Sequence, residues 1–246
     1  MSKTIFSLSV LIPVFNEEST IEKLLFTIDK VKFINTIKKQ IIVIDDGSTD
    51  TSRSVTTSVL PKLNTKDVLL LKHSVNRGKG SAIKTALPFV KGDYVIIQDA
   101  DLEYDPNQIN LLLNELINGN SQVVYGTRLD RLPNTKKEER TTRFLIHYIG
   151  NRFLSLLTSI LYGQWITDME TCYKLIPTYA LKSITLHAKG FEFEPEITAK
   201  LLKKGYKIKE VPITTIPRTY KEGKKLHTVK DGIKAFKTLL YYRFNN

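Results

Sequence analysis

The sequence predicts an α/β fold, a Rossmann-like, doubly wound and mostly parallel sheet with helices on both faces. Three observations predict it. Short apolar runs alternate with helix-period segments five times over about the first 125 residues. The runs are continuously apolar, as expected of strands covered by helices on both faces. Polar turns rich in Asp and Gly follow the runs, so they gather at the carboxyl edge of a sheet, where open α/β folds bind ligands.

The elements follow in order. Residues 7–12 form a buried first strand, stopped by Pro13. Ser19 and Glu22 read as a capping box for a helix that spaces Ile21, Leu24, Leu25, Ile28 and Val31 at helical intervals. The second strand, 41–44, ends in Asp45-Asp46-Gly47-Ser48-Thr49-Asp50, and a weakly patterned helix runs on to Leu63. The third, 68–71, leads into Asn76-Arg77-Gly78-Lys79-Gly80 and a helix carrying Ala82, Ile83 and Ala86. The fourth, 94–97, runs into Gln98-Asp99-Ala100-Asp101-Leu102-Glu103. Asp105-Pro106 start a helix with Ile109, Leu112, Leu113 and Leu116, closed at Gly119. The fifth strand, 122–125, ends at Gly126-Thr127-Arg128.

The second half has a different rhythm. Residues 131–143 read as a polar, basic loop. Residues 144–167 are apolar but include Arg152, His147, Asn151 and Gln164. That interrupts the 18 or so apolar residues a membrane span requires, so a surface-lying or core helix pair is expected. A polar run from Thr167 to Lys174 follows. Then come a helix from Phe191 to Lys204 stopped by Gly205, a strand from Tyr206 to Ile213, and a basic loop at 217–228. The last helix, about 229–242, places Ile233, Phe236, Leu239 and Leu240 on one face among Lys230, Lys234 and Lys237.

The formal charge of +12 is unevenly placed. Residues 1–130 hold 15 basic and 15 acidic side chains, whereas residues 131–246 hold 22 and 10. The whole excess sits in the second half and suits an anionic partner there, such as a membrane surface or a phosphate-bearing substrate. RNA-binding aromatic motifs are not apparent, so nucleic acid is not expected. A single cysteine, Cys172, excludes an internal disulfide. The N-terminal residues lack the apolar core and cleavage site of a signal peptide, which leads to the expectation of a cytoplasmic protein.

The acidic stretch after the fourth strand carries the chemistry. Alternate residues of an extended segment point the same way, so Asp99, Asp101 and Glu103 would converge. Converging carboxylates call for a hard cation, Mg2+ or Mn2+, with substrate phosphates completing its shell. Asp45 and Asp46 at a neighbouring strand end can accept hydrogen bonds from a base and ribose, which describes a site for a nucleotide diphosphate carrying a leaving group. The spacing of Gly78 and Gly80 fits neither a P-loop nor a dinucleotide fingerprint, although the turn exposes Arg77 and Lys79 to an anion. Ser48 lacks a hydrolase elbow, and the four histidines, 73, 147, 187 and 227, lack zinc spacing.

These stretches, with Val10-Leu11-Ile12-Pro13-Val14-Phe15-Asn16-Glu17 ahead of them, resemble family 2 glycosyltransferases of the GT-A fold. The resemblance is greatest to the polyprenyl-phosphate, dolichol-phosphate mannose synthase-like branch, and extends weakly through Asp168-Met169-Glu170-Thr171 and Val211-Pro212-Ile213 to Arg218 and Gly223-Lys224-Lys225. It implies a catalytic domain at 1–215, with a nucleotide-binding half at about 1–130 and an acceptor half at about 131–215. A basic loop and amphipathic helix at 216–246 would follow. It implies that Pro13, Phe15, Glu17, Asp45 and Asp46 hold base and ribose, and that Arg77 and Lys79 lie near the diphosphate. Asp99, Asp101 and Glu103 would bind the metal, with Ala100 in the same nucleotide-sugar pocket, and Arg128, Arg143 and Arg218 would grip an acceptor phosphate. Relatives often carry Gln at the third metal position, where Glu103 stands, and often carry C-terminal membrane spans.

The implied reaction is inverting and metal-dependent. A hexose passes from a nucleotide diphosphate sugar, of the GDP-mannose or UDP-glucose type, to a polyprenyl or dolichyl phosphate. The expected setting is the cytoplasmic face of an anionic membrane, touched peripherally, with room for a separate membrane-protein partner. The alternative is transfer to a saccharide hydroxyl of an envelope or capsule glycan. That reaction needs a carboxylate base, for which Asp168 and Glu170 stand ready. A non-catalytic membrane-surface protein is a third reading, against which the intact acidic motif argues.

Overall fold

The computed structural model describes residues 7–119, 121–129, 142–216 and 228–245. Its strands are β1 (Ser7–Val14), β2 (Lys38–Asp45), β3 (Asp67–Lys72), β4 (Tyr94–Ile97), β5 (Val123–Thr127), β6 (Lys174–Pro177) and β7 (Ile208–Pro212). Its helices are α1 (Ile21–Lys30), α2 (Ser52–Val59), α3 (Lys79–Ala86), α4 (Ile109–Asn118), α5 (Thr142–Tyr162), α6 (Thr178–Lys182), α7 (Phe193–Lys203) and α8 (Thr228–Phe244). One sheet joins the strands in the order β3-β2-β1-β4-β6-β5-β7.

The apolar runs sit where their composition sends them. Val10, Leu11 and Ile12 of β1 and Ile41, Ile42 and Val43 of β2 are fully buried, and the two strands pair in parallel with Val10 opposite Ile41. On its other side β1 pairs in parallel with β4, Val10 opposite Ile96. Helices α1 and α4 cover the sheet with the residues their periodicity selects: Leu24, Leu25 and Ile28, and Ile109, Leu112, Leu113 and Leu116. Asp105 caps the turn before α4 by accepting from the Asn107 amide, as its place before Pro106 predicts.

Four details depart from expectation. The first helix has Thr20, not Ser19, at its N-cap and no side-chain cap bond. The Glu17 carbonyl instead takes the amides of Thr20 and Ile21, and the Thr20 hydroxyl donates to the Glu17 carboxylate at 2.9 Å. Residues 144–167 do not make a helix pair. The single helix α5 runs to Tyr162, because one interior glycine, Gly150, costs only about 1 kcal/mol. The chain turns at Gly163, whose φ is +70°. Helix α8 buries only part of the face expected of it: Leu239 packs inward with Ala235 and Tyr242, while Ile233 and Phe236 stay exposed.

The fourth departure is the most consequential. The sheet is mostly parallel, as expected, but an unforeseen strand, β6, inserts between β4 and β5 and runs antiparallel to both. Strand β6 begins with a lysine that is entirely buried. Lys174 Nζ bonds Glu194 Oε2 at 2.6 Å and the Met169 carbonyl at 3.0 Å, and also the Thr171 carbonyl. A buried ammonium is tolerated only when paired in this way. Because β6 is reversed, the residues preceding it share a sheet edge with those following β4 and β5. We predict that Glu194→Gln, which leaves the Lys174 charge buried without a counter-ion, destabilises the protein by about 3–5 kcal/mol, read from urea unfolding curves.

Candidate active site

At the carboxyl edge a cavity of about 340 Å³ opens between the ends of β1, β4 and β5 and the start of α7. Pro13, Phe15 and Glu17 border it from β1, residues 99–101, 103 and 104 from β4, and Arg128 from β5. Its floor is held by buried hydrogen bonds, local and long-range. Gln98, fully buried, donates to the Asp99 and Tyr104 carbonyls and accepts from the Tyr173 hydroxyl at 2.6 Å. The Tyr104 hydroxyl accepts from the Cys172 amide. Strand β6 thus pins the acidic loop that follows β4.

That loop is not extended. Leu102 has a φ of +63°, and Asp101 Oδ1 accepts from the Glu103 amide at 3.0 Å, an Asx turn. The alternation expected to converge three carboxylates is therefore broken. Asp99, Asp101 and Glu103 all border the cavity, but no group of three His, Cys, Asp or Glu among the described residues is placed to hold a metal. Asp99 turns instead onto Lys79, 2.7 Å away, which also meets Glu194 at 2.9 Å. Burial opposes the charge on both partners. The pairing outweighs it, holding the Lys79 ammonium well above its ordinary pKa and the Asp99 carboxyl below its own. An all-oxygen donor set of one or two carboxylates, completed by diphosphate oxygens, still suits Mg2+ or Mn2+. Asp99 and Asp101 provide such a set.

Lys79 reaches this position because α3 starts at it. The preceding Gly78 has a φ of +92°, and a Cβ there would lie 2.4 Å from the Lys189 carbonyl oxygen. Only glycine permits that close approach. Arg77, one residue earlier, is exposed and faces a separate surface hollow, so the structure does not bring it into the main cavity.

Asp45 and Asp46 are buried, and their oxygens serve the scaffold. Asp45 is paired with Arg53 and accepts from the Ser48 amide. Asp46 accepts from the amides of Arg77 at 2.9 Å and Gly78 at 2.7 Å and meets His73 Nδ1 at 2.6 Å. Asp46 borders the cavity; Asp45 is not among the residues lining it.

Arg128 is locked by Asp168. Its Nε and Nη2 donate to the two Asp168 oxygens at 2.7 and 2.8 Å, its own amide donates at 3.0 Å, and its guanidinium lies 5.8 Å from the Tyr104 ring centre. Burial disfavours both charges, but the pair keeps the Asp168 carboxyl below its ordinary range. The base expected of Asp168 is thereby displaced. The residue is sealed from solvent and both oxygens are engaged, so it orients Arg128. Glu170 differs. Its Oε1 is cut off from solvent with no hydrogen-bond partner among the described residues. Burial first, and the nearby Glu194 second, push its pKa up to about 7.

A second cavity of about 70 Å³ adjoins the first. Arg128, His147 and Glu170 border both. It continues between Gly150, Asn151 and Leu154 of α5 and Asp231 and Gly232 of α8. The Arg143 side chain, Arg218, and residues 131–141 and 217–227 of the two basic loops lie outside what the structure describes. Sequence reasoning missed Glu194, Lys174, Tyr104 and His147. The available signal was a charged residue set within apolar runs, Phe191-Glu192-Phe193-Glu194 and Tyr173-Lys174-Leu175.

Comparison with known proteins places this arrangement. The sequence model of Glycosyl transferase family 2 matches residues 9–185, which span the cavity's walls from β1 to Cys172. Dolichyl-phosphate beta-glucosyltransferase of Dictyostelium discoideum is 29% identical over 250 residues, covering 96% of this chain and 74% of that protein. UDP-N-acetylglucosamine--dolichyl-phosphate N-acetylglucosaminyltransferase of Methanococcus voltae is 28% identical over 246 residues, covering 94% of each. Glucosyl-3-phosphoglycerate synthase from Mycobacterium tuberculosis, solved with Mn2+, UDP and glucosyl-3-phosphoglycerate, shares the fold with a TM-score of 0.70 at 20% identity, over 97% of this chain and 80% of that one. With the family match covering most of the chain and the sheet edge carrying the acidic motif and the Arg128 pair, this protein belongs to glycosyl transferase family 2 and is a glycosyltransferase of the GT-A fold.

Proposed function

We propose that this glycosyltransferase moves a hexose from a nucleotide diphosphate sugar to a polyprenyl phosphate, inverting the anomeric carbon. One observation carries the reading: a guanidinium held bidentately by Asp168 stands where the donor cavity meets a second cavity. A fixed arginine suits a phosphate nucleophile. Such a nucleophile is already anionic and needs no base. The two relatives whose names include dolichyl phosphate support the same acceptor class.

The residues divide the work. Pro13, Phe15 and Glu17, with Asp45 and Asp46 behind them, shape the end of the cavity for base and ribose. Lys79 and Ala100 border the diphosphate region, and Arg77 steers anions from outside it. A divalent cation, held by Asp99 or Asp101 and bordered by Glu103, would neutralise charge on the departing diphosphate. Arg128 holds the acceptor phosphate, joined by Arg143 and Arg218. The nucleotide-binding half at about 1–130 and the acceptor half at about 131–215 meet at this line, with the last helix beyond 216 serving the membrane side.

A second reading has its own observation. A carboxyl with a pKa near 7 is matched to general-base work at neutral pH, so Glu170 favours a saccharide hydroxyl as acceptor. The two readings separate when washed membranes receive labelled nucleotide sugar. Label entering an organic-extractable lipid is expected, and label confined to polysaccharide would rule out the lipid acceptor. Asp101→Ala is expected to lower lipid labelling by about 100-fold, at saturating Mn2+.

Membrane contact belongs to the same proposal. No helix among the described residues is long and apolar enough to cross a membrane. Helix α5 nonetheless exposes Ile149, Phe153, Leu156 and Ile160, and α8 exposes Val229, Ile233 and Phe236. The Phe153 and Phe236 rings stack at 6.4 Å, joining the two stripes, and Lys230, Lys234 and Lys237 are exposed on the same helix, α8. An apolar strip beside lysines suits the surface of an anionic bilayer. The double variant Ile149→Glu with Ile233→Glu is expected to reduce flotation with phosphatidylserine vesicles at least about 10-fold, with an unchanged melting temperature.

A further inference from the structure

We infer that Glu170 works as an uncharged carboxyl that hydrogen-bonds the acceptor phosphate where the two cavities meet, and not as a base. The inference rests on the phosphate-acceptor reading and assigns a specific residue to the recognition of that phosphate.

Position comes first. Glu170 borders both cavities, alongside Arg128 and His147. Any group passing from one cavity to the other meets all three. The state of its oxygens comes second. Oε1 is sealed from solvent and has no hydrogen-bond partner among the described residues. An ionised carboxylate is an acceptor only, and burying one of its oxygens bare is costly. A protonated carboxyl carries a donor, which a ligand oxygen can satisfy.

The surroundings point the same way. Glu194 of α7 and Asp168 ahead of β6 disfavour a further negative charge, while Lys174 of β6 and Arg128 after β5 favour one. Both of those cations are already committed to other carboxylates, Lys174 to Glu194 and Arg128 to Asp168. From the helices packed against the second cavity, His147 of α5 and Asp231 of α8 also face this space. Burial and Glu194 together place the titration at about 7.

The chemistry of the acceptor then decides the role. A hydroxyl acceptor must lose a proton and would need Glu170 ionised. A phosphate acceptor is already anionic and attacks without a base, and an ionised Glu170 beside it would repel it. The neutral acid donates one hydrogen bond, beside the guanidinium donors that Arg128 does not spend on Asp168 through Nε and Nη2. The sign with pH follows. Below about 7 the carboxyl is protonated and the phosphate is held. As pH rises through 7 the carboxyl ionises and the KM for the phosphate acceptor climbs, by up to about 10-fold per unit, the slope for one proton.

The test compares wild type, E170Q and E170M, measuring KM for polyprenyl phosphate and kcat between about pH 6 and pH 8.5, with melting curves for each. E170Q keeps a donor but cannot titrate. Its KM is expected to start about 3-fold above wild type at pH 6 and to stay flat, so the two curves cross above pH 7. Taking the ratio of the two profiles removes titrations common to both enzymes, that of the phosphate included. E170M, similar in volume but without a donor, is expected to hold KM at every pH about 10-fold above the wild-type value at pH 6, while melting like wild type. A fall of 100-fold or more in kcat for E170Q with KM unchanged would identify a base and overturn the inference. So would parallel profiles for wild type and E170Q, or an E170M enzyme indistinguishable from E170Q. The fate of label in the wild-type enzyme reports on the acceptor class alone. If that label enters only saccharide, the acceptor reading fails and the phosphate contact of Glu170 is overturned with it; if it enters lipid, the E170Q and E170M profiles decide the role of Glu170 alone.

Discussion

A row of alternating charges, running from the cavity wall into the core, holds the site together: Asp99, Lys79, Glu194 and Lys174, each within 2.9 Å of the next. Its members come from the loop after β4, the start of α3, the first turn of α7 and the start of β6. Four distant stretches of chain are therefore brought together by groups that cannot be left unpaired inside a protein. Placement of β6 between β4 and β5 depends on this row, because a strand opening with a buried lysine has no place in a sheet core without it. The direction of β6 in turn brings Asp168 and Glu170 to the edge where Asp99 and Arg128 already lie.

How much of this was legible follows from where each residue finds its partner. Strands β1, β2, β4 and β5 declare themselves because Val10 to Ile12, Ile41 to Ile44 and their counterparts need only an apolar environment, which composition reveals. Strand β6 does not, since Lys174 is buried through Glu194, 20 residues away, and a short run opening with lysine resembles a surface loop. Asp45 and Asp46 read correctly as residues at a strand end, but their roles depend on Arg53, His73 and the amides of Arg77 and Gly78, which no local pattern announces. The acidic motif was legible as a cluster and not as a geometry. Its convergence required an extended segment, and Leu102 in the left-handed region ends that extension. Helix α5 was legible as apolar but not as continuous, because Gly150 weakens a helix without breaking it.

The two cavities differ in their chemistry. The larger is walled by strand ends and carries the carboxylates of Asp46, Asp99, Asp101 and Glu103. The smaller is walled largely by α5 and α8, the two helices that also carry the exposed apolar stripes. Arg128, fixed by three bonds to one carboxylate, marks the boundary. Nucleophile and leaving group are both anionic in the proposed reaction, and the site keeps their counter-charges on separate elements, so that each phosphate is held without neutralising the other's partner.

Gly150 and Gly232 bear on how that smaller cavity behaves. They face it from α5 and α8, and a Cβ on either would touch nothing within 4 Å. The two helices are tied lower down, where the Tyr162 hydroxyl donates to the Leu239 carbonyl and the Phe153 and Phe236 rings stack. The open volume of the smaller cavity is thus set partly by two absent side chains: a methyl group at either position would enter the space without meeting the scaffold, so room on the acceptor side is adjustable by residues that hold nothing else in place.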